Sequence, residues 1–150
     1  MQSLFQKLSG FFLSPTPAEA TVSPERHAMS EEQDVLGCNS MSTKHFNEAI
    51  SFFNKAIELD PSDPFPHYSK AMAYEALGRY QEALIACDKA IKRDPKCAIA
   101  YNAKAIALYA LGRMDEALAV VDKAISIDHK HHEPQHLRER ILSAIQSQTN

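Results

Sequence analysis

Apolar positions recur along this chain with a helical period, and the whole pattern then recurs as a block. In the stretch YQEALIACDKAI, residues 80–91, the apolar side chains Ala83, Leu84, Cys87, Ala90 and Ile91 share one face of a 3.6-residue period. The phrase ALGRYQEAL, residues 76–84, returns 34 residues later as ALGRMDEAL, residues 110–118. Aligned at that offset, 64–97 and 98–131 agree at about half of their positions. The matches cluster at Lys70/Lys104, Ala71/Ala105, Gly78/Gly112, Ala83/Ala117 and Ala90/Ala124. A weaker third copy occupies 30–63, with Gly37, Phe46, Ala49, Phe53 and Ala56 in register.

Each unit predicts two helices and a short turn. Gly78 and Gly112 fall between the helices, where a residue at positive φ is wanted and glycine takes it without a Cβ clash. Asp60-Pro61 and Asp94-Pro95 stop the second helix, because proline disfavours α geometry in the residue before it. Ala83 and Ala117 mark close helix contacts, where a larger side chain would overpack by ~1–3 kcal/mol. Beyond the repeats, Leu137, Ile141, Leu142 and Ile145 predict a further amphipathic helix behind Pro134. Ser23-Pro24-Glu25 reads as a helix start, with serine as N-cap and proline in the first turn.

The N-terminal residues carry their own pattern. Leu4, Phe5, Leu8, Phe11 and Phe12 form an apolar stripe at helical spacing, with Gln2, Gln6, Lys7 and Ser9 opposite. Residues 14–23 form a Pro/Ser/Thr linker, so the expected organisation is helix 1–13, linker 14–23, repeats over 24–131 and a final helix within 132–150. Three roles are open to the first helix: docking on the array as a cap or autoinhibitory plug, lying on a membrane surface, or binding a partner. Its single lysine favours docking on protein over a membrane, because helices that lie on anionic lipid usually carry several cations. Ser14-Pro15, Thr16-Pro17 and Ser23-Pro24 could accept proline-directed phosphorylation, although turn and cap chemistry explains them first.

The 34-residue period, with Ala71, Gly78, Tyr80, Ala83, Ala90 and Pro95 at their offsets, resembles the tetratricopeptide repeat family. The next unit matches with Ala105, Gly112, Ala117 and Ala124, and departs at Met114 and His129. The first has Lys44 where the turn glycine belongs, and Lys70 and Lys104 replace a usual leucine and are expected to snorkel. The resemblance implies an all-α superhelical array of three repeats (30–63, 64–97, 98–131), with 132–150 as a solvating C-terminal helix. It also implies a groove along the first helices that holds a partner peptide. By family register the groove residues are Phe65, Tyr68, Ser69, Met72, Ile99, Asn102, Ile106 and Tyr109, with Asp34, Val35, Cys38, Glu75 and Ala103 in the same rows.

Composition narrows the partner. With 16 basic and 19 acidic side chains, a net charge of −3 and no basic run, nucleic acid is not an expected partner. One subtype of the family clamps the C-terminal carboxylate of heat-shock chaperones with lysines, asparagines and an arginine. Those five offsets here hold Asp34, Cys38, Ser69, Ile99 and Ala103, and one unit later Tyr68, Met72, Ala103, Glu133 and Leu137. No such carboxylate is expected, and the groove instead suits an apolar peptide or amphipathic helix. The chain reads as a non-enzymatic adaptor or co-chaperone. The alternative is a membrane-surface adaptor held by Leu4, Phe5, Leu8, Phe11 and Phe12.

No metal or cofactor is expected. The string HEPQH, with His132, Glu133 and His136, matches the zinc-protease pattern, and a zinc hydrolase is the remote alternative. Pro134 sits inside the motif and is tolerated only in a helix's first turn, so His132 is expected before the helix. Residues 139 and 142 are Glu139 and Leu142, where an extended zinc motif wants glycine and histidine. The odd set Cys38, Cys87 and Cys97 reads as reduced thiols. With no ~20-residue apolar run and no secretory leader pattern, the expected location is cytoplasmic.

Overall fold

The computed structural model describes residues 22–148, and these form helices and turns in a succession of helical hairpins. The helices are α1 (Pro24–Ser42), α2 (Phe46–Leu59), α3 (Phe65–Ala76), α4 (Tyr80–Arg93), α5 (Ala98–Ala110), α6 (Met114–Ile127) and α7 (His132–Gln148). Each packs on its neighbours in sequence, and α3 also meets α5 across the intervening α4. The all-α array read from the repeat is what forms. Leu4, Phe5, Leu8, Phe11, Phe12 and nearly all of the linker lie outside the described residues.

The three intra-repeat turns share one geometry. Arg79 N–H donates to Tyr74 O at 2.8 Å, Arg113 N–H to Leu108 O at 2.9 Å and His45 N–H to Ser40 O at 2.8 Å. Each bond closes a helix over a left-handed residue: Gly78 at φ 70°, Gly112 at φ 75° and Lys44 at φ 62°. Lys44 therefore takes a conformation that its Cβ resists. Lys44→Gly is expected to stabilise the protein by about 0.5–1 kcal/mol, the relief of that strain less the extra freedom of glycine in the unfolded chain. Thermal melts of the two proteins check it, and a lower midpoint for the glycine variant would refute it.

The inter-repeat corners depend on aspartate more than on proline. Asp60 accepts Ser62 N–H at 3.0 Å, Asp94 accepts Lys96 N–H at 2.9 Å and Asp128 accepts Lys130 N–H at 3.0 Å. At the third corner His129 replaces the proline, yet α6 ends at Ile127 in register with the others. The side-chain turn satisfies a backbone donor and stops the helix at all three places.

Lys70 and Lys104 do more than snorkel. Lys70 Nζ donates to Asn54 Oδ1 and Lys104 Nζ to Asp88 Oδ1, both at 2.6 Å, and Arg138 Nε donates to Asp122 Oδ1 at 2.6 Å. The donors stand 34 residues apart, as do the acceptors. Each bond runs from the first helix of one unit, or from α7, to the second helix of the unit before. The charged heads thus join neighbouring units while their stems cover the alanine-rich interface.

The core is built around small side chains. Ala71, Ala73, Ala105, Ala107, Ala117 and Ala124 are fully buried, which lets helix axes approach closely. Leu108, Val121, Leu137 and Ile141 fill the largest cluster, and α7 supplies the last two. In the first unit Gly37 faces the fully buried ring of Phe53, where the other units have Ala71 and Ala105 against the smaller Cys87 and Val121.

Candidate functional site

The first helices α1, α3 and α5 stack side by side and, with α7, line one face of the array. A recess of about 610 Å³ opens on this face between α3, α5 and the start of α7. Four of the expected groove residues meet there: Tyr68, Met72, Ile99 and Asn102. Met72 and Ile99 remain 44% and 47% exposed, so neither is a core residue. Phe65 stands beside this set, its ring edge-on to Tyr68 with centroids 5.2 Å apart.

The other expected residues are placed differently. Ile106 and Tyr109 line a second recess of about 380 Å³ with Glu75, Leu137 and Arg140. The Arg140 guanidinium lies 5.2 Å from the centre of the Tyr109 ring, which closes part of that face. Ser69 is only 7% exposed and belongs to the interior more than to the groove. The helices project successive positions about 100° apart, so a single register row bends out of one plane as the array twists.

Of one further wall, sequence register names Glu133 alone. Asp128, His131, Glu133 and Pro134 border the larger recess, along with Lys96 and Cys97 at the preceding corner. The available signal was the 34-residue period itself: 128–134 repeats the corner 94–100, which precedes a groove helix. Glu133 and Pro134 of the HEPQH string are therefore part of this wall. Helix α7 begins at His132, not after it, and Pro134 falls in its first turn. His131 Nδ1 pairs with Asp128 at 2.8 Å and His136 Nδ1 lies 3.9 Å from Glu139. Among the described residues, no three His, Cys, Asp or Glu side chains group as metal ligands. Nor is any described helix long and apolar enough to cross a membrane.

The polar groups of the groove are mixed, with Glu75, Asp128 and Glu133 beside Lys96 and Arg140. Asp34 on α1 is 7% exposed and its Oδ1 accepts no hydrogen bond. Burial, reinforced by Asp63, Glu31 and Asp60, pushes its carboxyl up to about 7. Burial likewise pushes the Tyr68 hydroxyl up to about 12, with Cys97, Asp63, Cys38 and Asp34 adding to it. Glu75 is raised by burial and then by Glu133. Asn102 Oδ1 is a second buried acceptor without a donor.

A pH dependence follows from Asp34. Its folded-state pKa lies above the unfolded carboxylate value, so the folded state holds the extra proton and stability falls as pH rises from about 4 through about 7. Asp34→Asn removes the titration. The variant is expected to gain about 1 kcal/mol on wild type between about pH 5 and about pH 8. Urea melts at both pH values measure this, and an unchanged difference between the two proteins would count against it.

Comparison with known proteins gives a consistent picture. Models described as "Tetratricopeptide repeat" match residues 35–63 and 67–130. Human small glutamine-rich tetratricopeptide repeat-containing protein alpha is 35% identical over 63 residues, 42% of this chain and 20% of that protein. The chain thus spans about a fifth of the length of this curated relative. The TPR2B domain of yeast Sti1, solved as a pHsp70 complex, superposes with a TM-score of 0.74 at 26% identity, over 77% of this chain and 97% of that one. The second TPR domain of human RPAP3, solved with the HSP70 peptide SGPTIEEVD, gives a TM-score of 0.74 at 21% identity over 77% and 97% of the two chains, a likeness of fold.

Proposed function

The chain belongs to the tetratricopeptide repeat family, and on that premise we propose that it is a non-enzymatic protein-interaction module of the adaptor or co-chaperone kind. It holds an apolar peptide or amphipathic helix in the groove along its first helices, and its own N-terminal segment regulates access. The observation that carries this reading is the larger recess, where Tyr68, Met72 and Ile99 leave apolar surface open beside Asn102. Burying that surface under a partner's apolar face supplies the affinity, and the few polar groups set its orientation.

A relative was solved with the acidic HSP70 peptide SGPTIEEVD, and the charge along the groove here does not suit such a peptide. Asp34, Cys38, Ser69, Ile99 and Ala103 stand at the family's clamp offsets, and an arriving carboxylate would meet Asp34 and Asp63. Like charges at such a site oppose binding. In fluorescence titrations, SGPTIEEVD is expected to show no saturable binding.

The direct test is affinity capture with the double variant Tyr68→Ala, Tyr109→Ala. Loss of at least about tenfold in captured partner, with a helical circular dichroism spectrum retained, is the expected result. Undiminished capture by a folded double variant would remove the groove assignment.

A further inference from the structure

A recess of about 440 Å³ lies between α2 and α4, over α3, and shares no lining residue with the two groove recesses. Ile57 and Ile85 give it apolar walls, and Lys70 and Lys89 give it cations. Ile85 is 58% exposed, so its side chain is open to a ligand.

The array repeats this cleft between α4 and α6, and the two copies differ in charge. There Lys104 Nζ donates to the carboxylate of Asp88 at 2.6 Å, and one unit further Arg138 pairs with Asp122 at 2.6 Å. Here Lys70 Nζ donates at 2.6 Å to the side-chain oxygen of Asn54, which carries no charge. One of its three N–H donors is used and two are left. The Lys70 ammonium is half-buried, and the charged group that acts on it is Lys89, a like charge. Burial first, and then Lys89, holds its pKa below the usual lysine range. The two carboxylates that border the recess do not supply a counter-ion. Glu82 is engaged by Arg79 at 2.9 and 2.5 Å, and Glu58 is exposed and does not act on Lys70. A cation drawn partly out of water without its counter-ion is costly, and a ligand that brings the anion relieves it.

His67 and Ala86 make the room. Their counterparts in the next cleft are the larger Tyr101 and Val120. His67 is 3% exposed and its Nε2 has no hydrogen-bond partner. Burial, followed by Arg93, Lys89 and Lys70, pushes its pKa down to about 4. The ring is therefore neutral at pH 7, and its titration reports the positive field around it.

We propose that this recess binds a small organic acid, with the carboxylate on Lys70 and Lys89 and the apolar arm against Ile57 and Ile85. The volume is that of a small-molecule site, and charge complementarity at Lys70 sets the orientation. The site stands apart from the groove and does not depend on what the groove holds.

Hexanoate is the probe, with hexanamide as its uncharged counterpart, titrated into the isotope-labelled full chain and followed by NMR. Hexanoate is expected to shift the Ile57, Ile85 and Ala86 amides saturably, and to bind at least tenfold more tightly than hexanamide. It should also raise the His67 ring pKa, because a bound carboxylate offsets the cations that depress it. Asn54→Asp copies the Asp88–Lys104 pair and gives Lys70 its counter-ion. It should weaken hexanoate at least tenfold while the melting temperature is kept or raised, which separates loss of the site from loss of the fold. His67→Tyr copies Tyr101 and should weaken hexanoate by filling the recess. Undiminished binding by either folded variant overturns the proposal, as does equal affinity for hexanamide. Shifts confined to Tyr68, Met72 and Ile99 overturn the location. Tighter binding of the peptide acetyl-Leu-Glu-Leu-amide overturns the free acid in favour of an acidic side chain of a partner protein. No saturable shift with hexanoate overturns the proposal altogether.

Discussion

Gly37→Ala is expected to destabilise this protein by about 2 kcal/mol, although the same change in the middle of most helices stabilises them. A Cβ built at Gly37 lies 2.5 Å from Cε1 of Phe53 and 2.8 Å from Cδ1 and Cζ. Real Cβ atoms do not approach so closely, and the Phe53 ring, with no exposed surface, has nowhere to retreat. Helix propensity returns up to about 1 kcal/mol, so overpacking must exceed that for the sign to hold. The array supplies its own control. The equivalent pairs in the next two units are Ala71 with Cys87 and Ala105 with Val121. Gly37→Ala combined with Phe53→Val rebuilds the third unit's pair inside the first, and the double variant should be more stable than the sum of the two single effects allows. Urea melts of the four proteins give that coupling directly. A stabilised Gly37→Ala, or strict additivity, would show that the ring moves freely.

Ile141→Asp is expected to cost at least about 4 kcal/mol, the largest loss among these substitutions. Ile141 has no exposed surface and packs with Leu108, Val121 and Leu137 in the largest buried cluster. The substitution removes an apolar side chain and puts a carboxylate where no described partner answers it. In a linear array each unit leans only on its neighbours, so α7 is what covers the outer face of α5 and α6. Amide exchange should therefore lose protection first in α5, α6 and α7, and later toward α1. Uniform loss along the chain would show that the array unfolds as one block. A melting temperature within a few degrees of wild type would show that α7 contributes little.

The period of 34, the turn glycines Gly78 and Gly112 and the buried alanines are local requirements repeated in each unit. Backbone geometry imposes them within a few residues, so they stand in the sequence as spacing. The array was legible for that reason, as was the amphipathic helix that closes it. The stop at Ile127 had no proline to announce it, and Asp128 does that work.

The groove was legible only as a row of candidates. Register names Phe65, Tyr68, Ser69, Met72, Ile99, Asn102, Ile106 and Tyr109 alike, but twist divides them between two recesses and sinks Ser69 inward. That Asp34 sits among Glu31, Asp60 and Asp63 depends on α1 meeting the corner at 60–63, a contact between residues about thirty apart. The same holds for Gly37 against Phe53, and for Lys70, Lys104 and Arg138 reaching back to the unit before. By itself the sequence determined the repeat, its helices and its turns, since each is settled by neighbours along the chain. Only the tertiary structure decided which side chains face one another across the stacked helices, because burial, packing volume and the field at a carboxylate are set by distance in space.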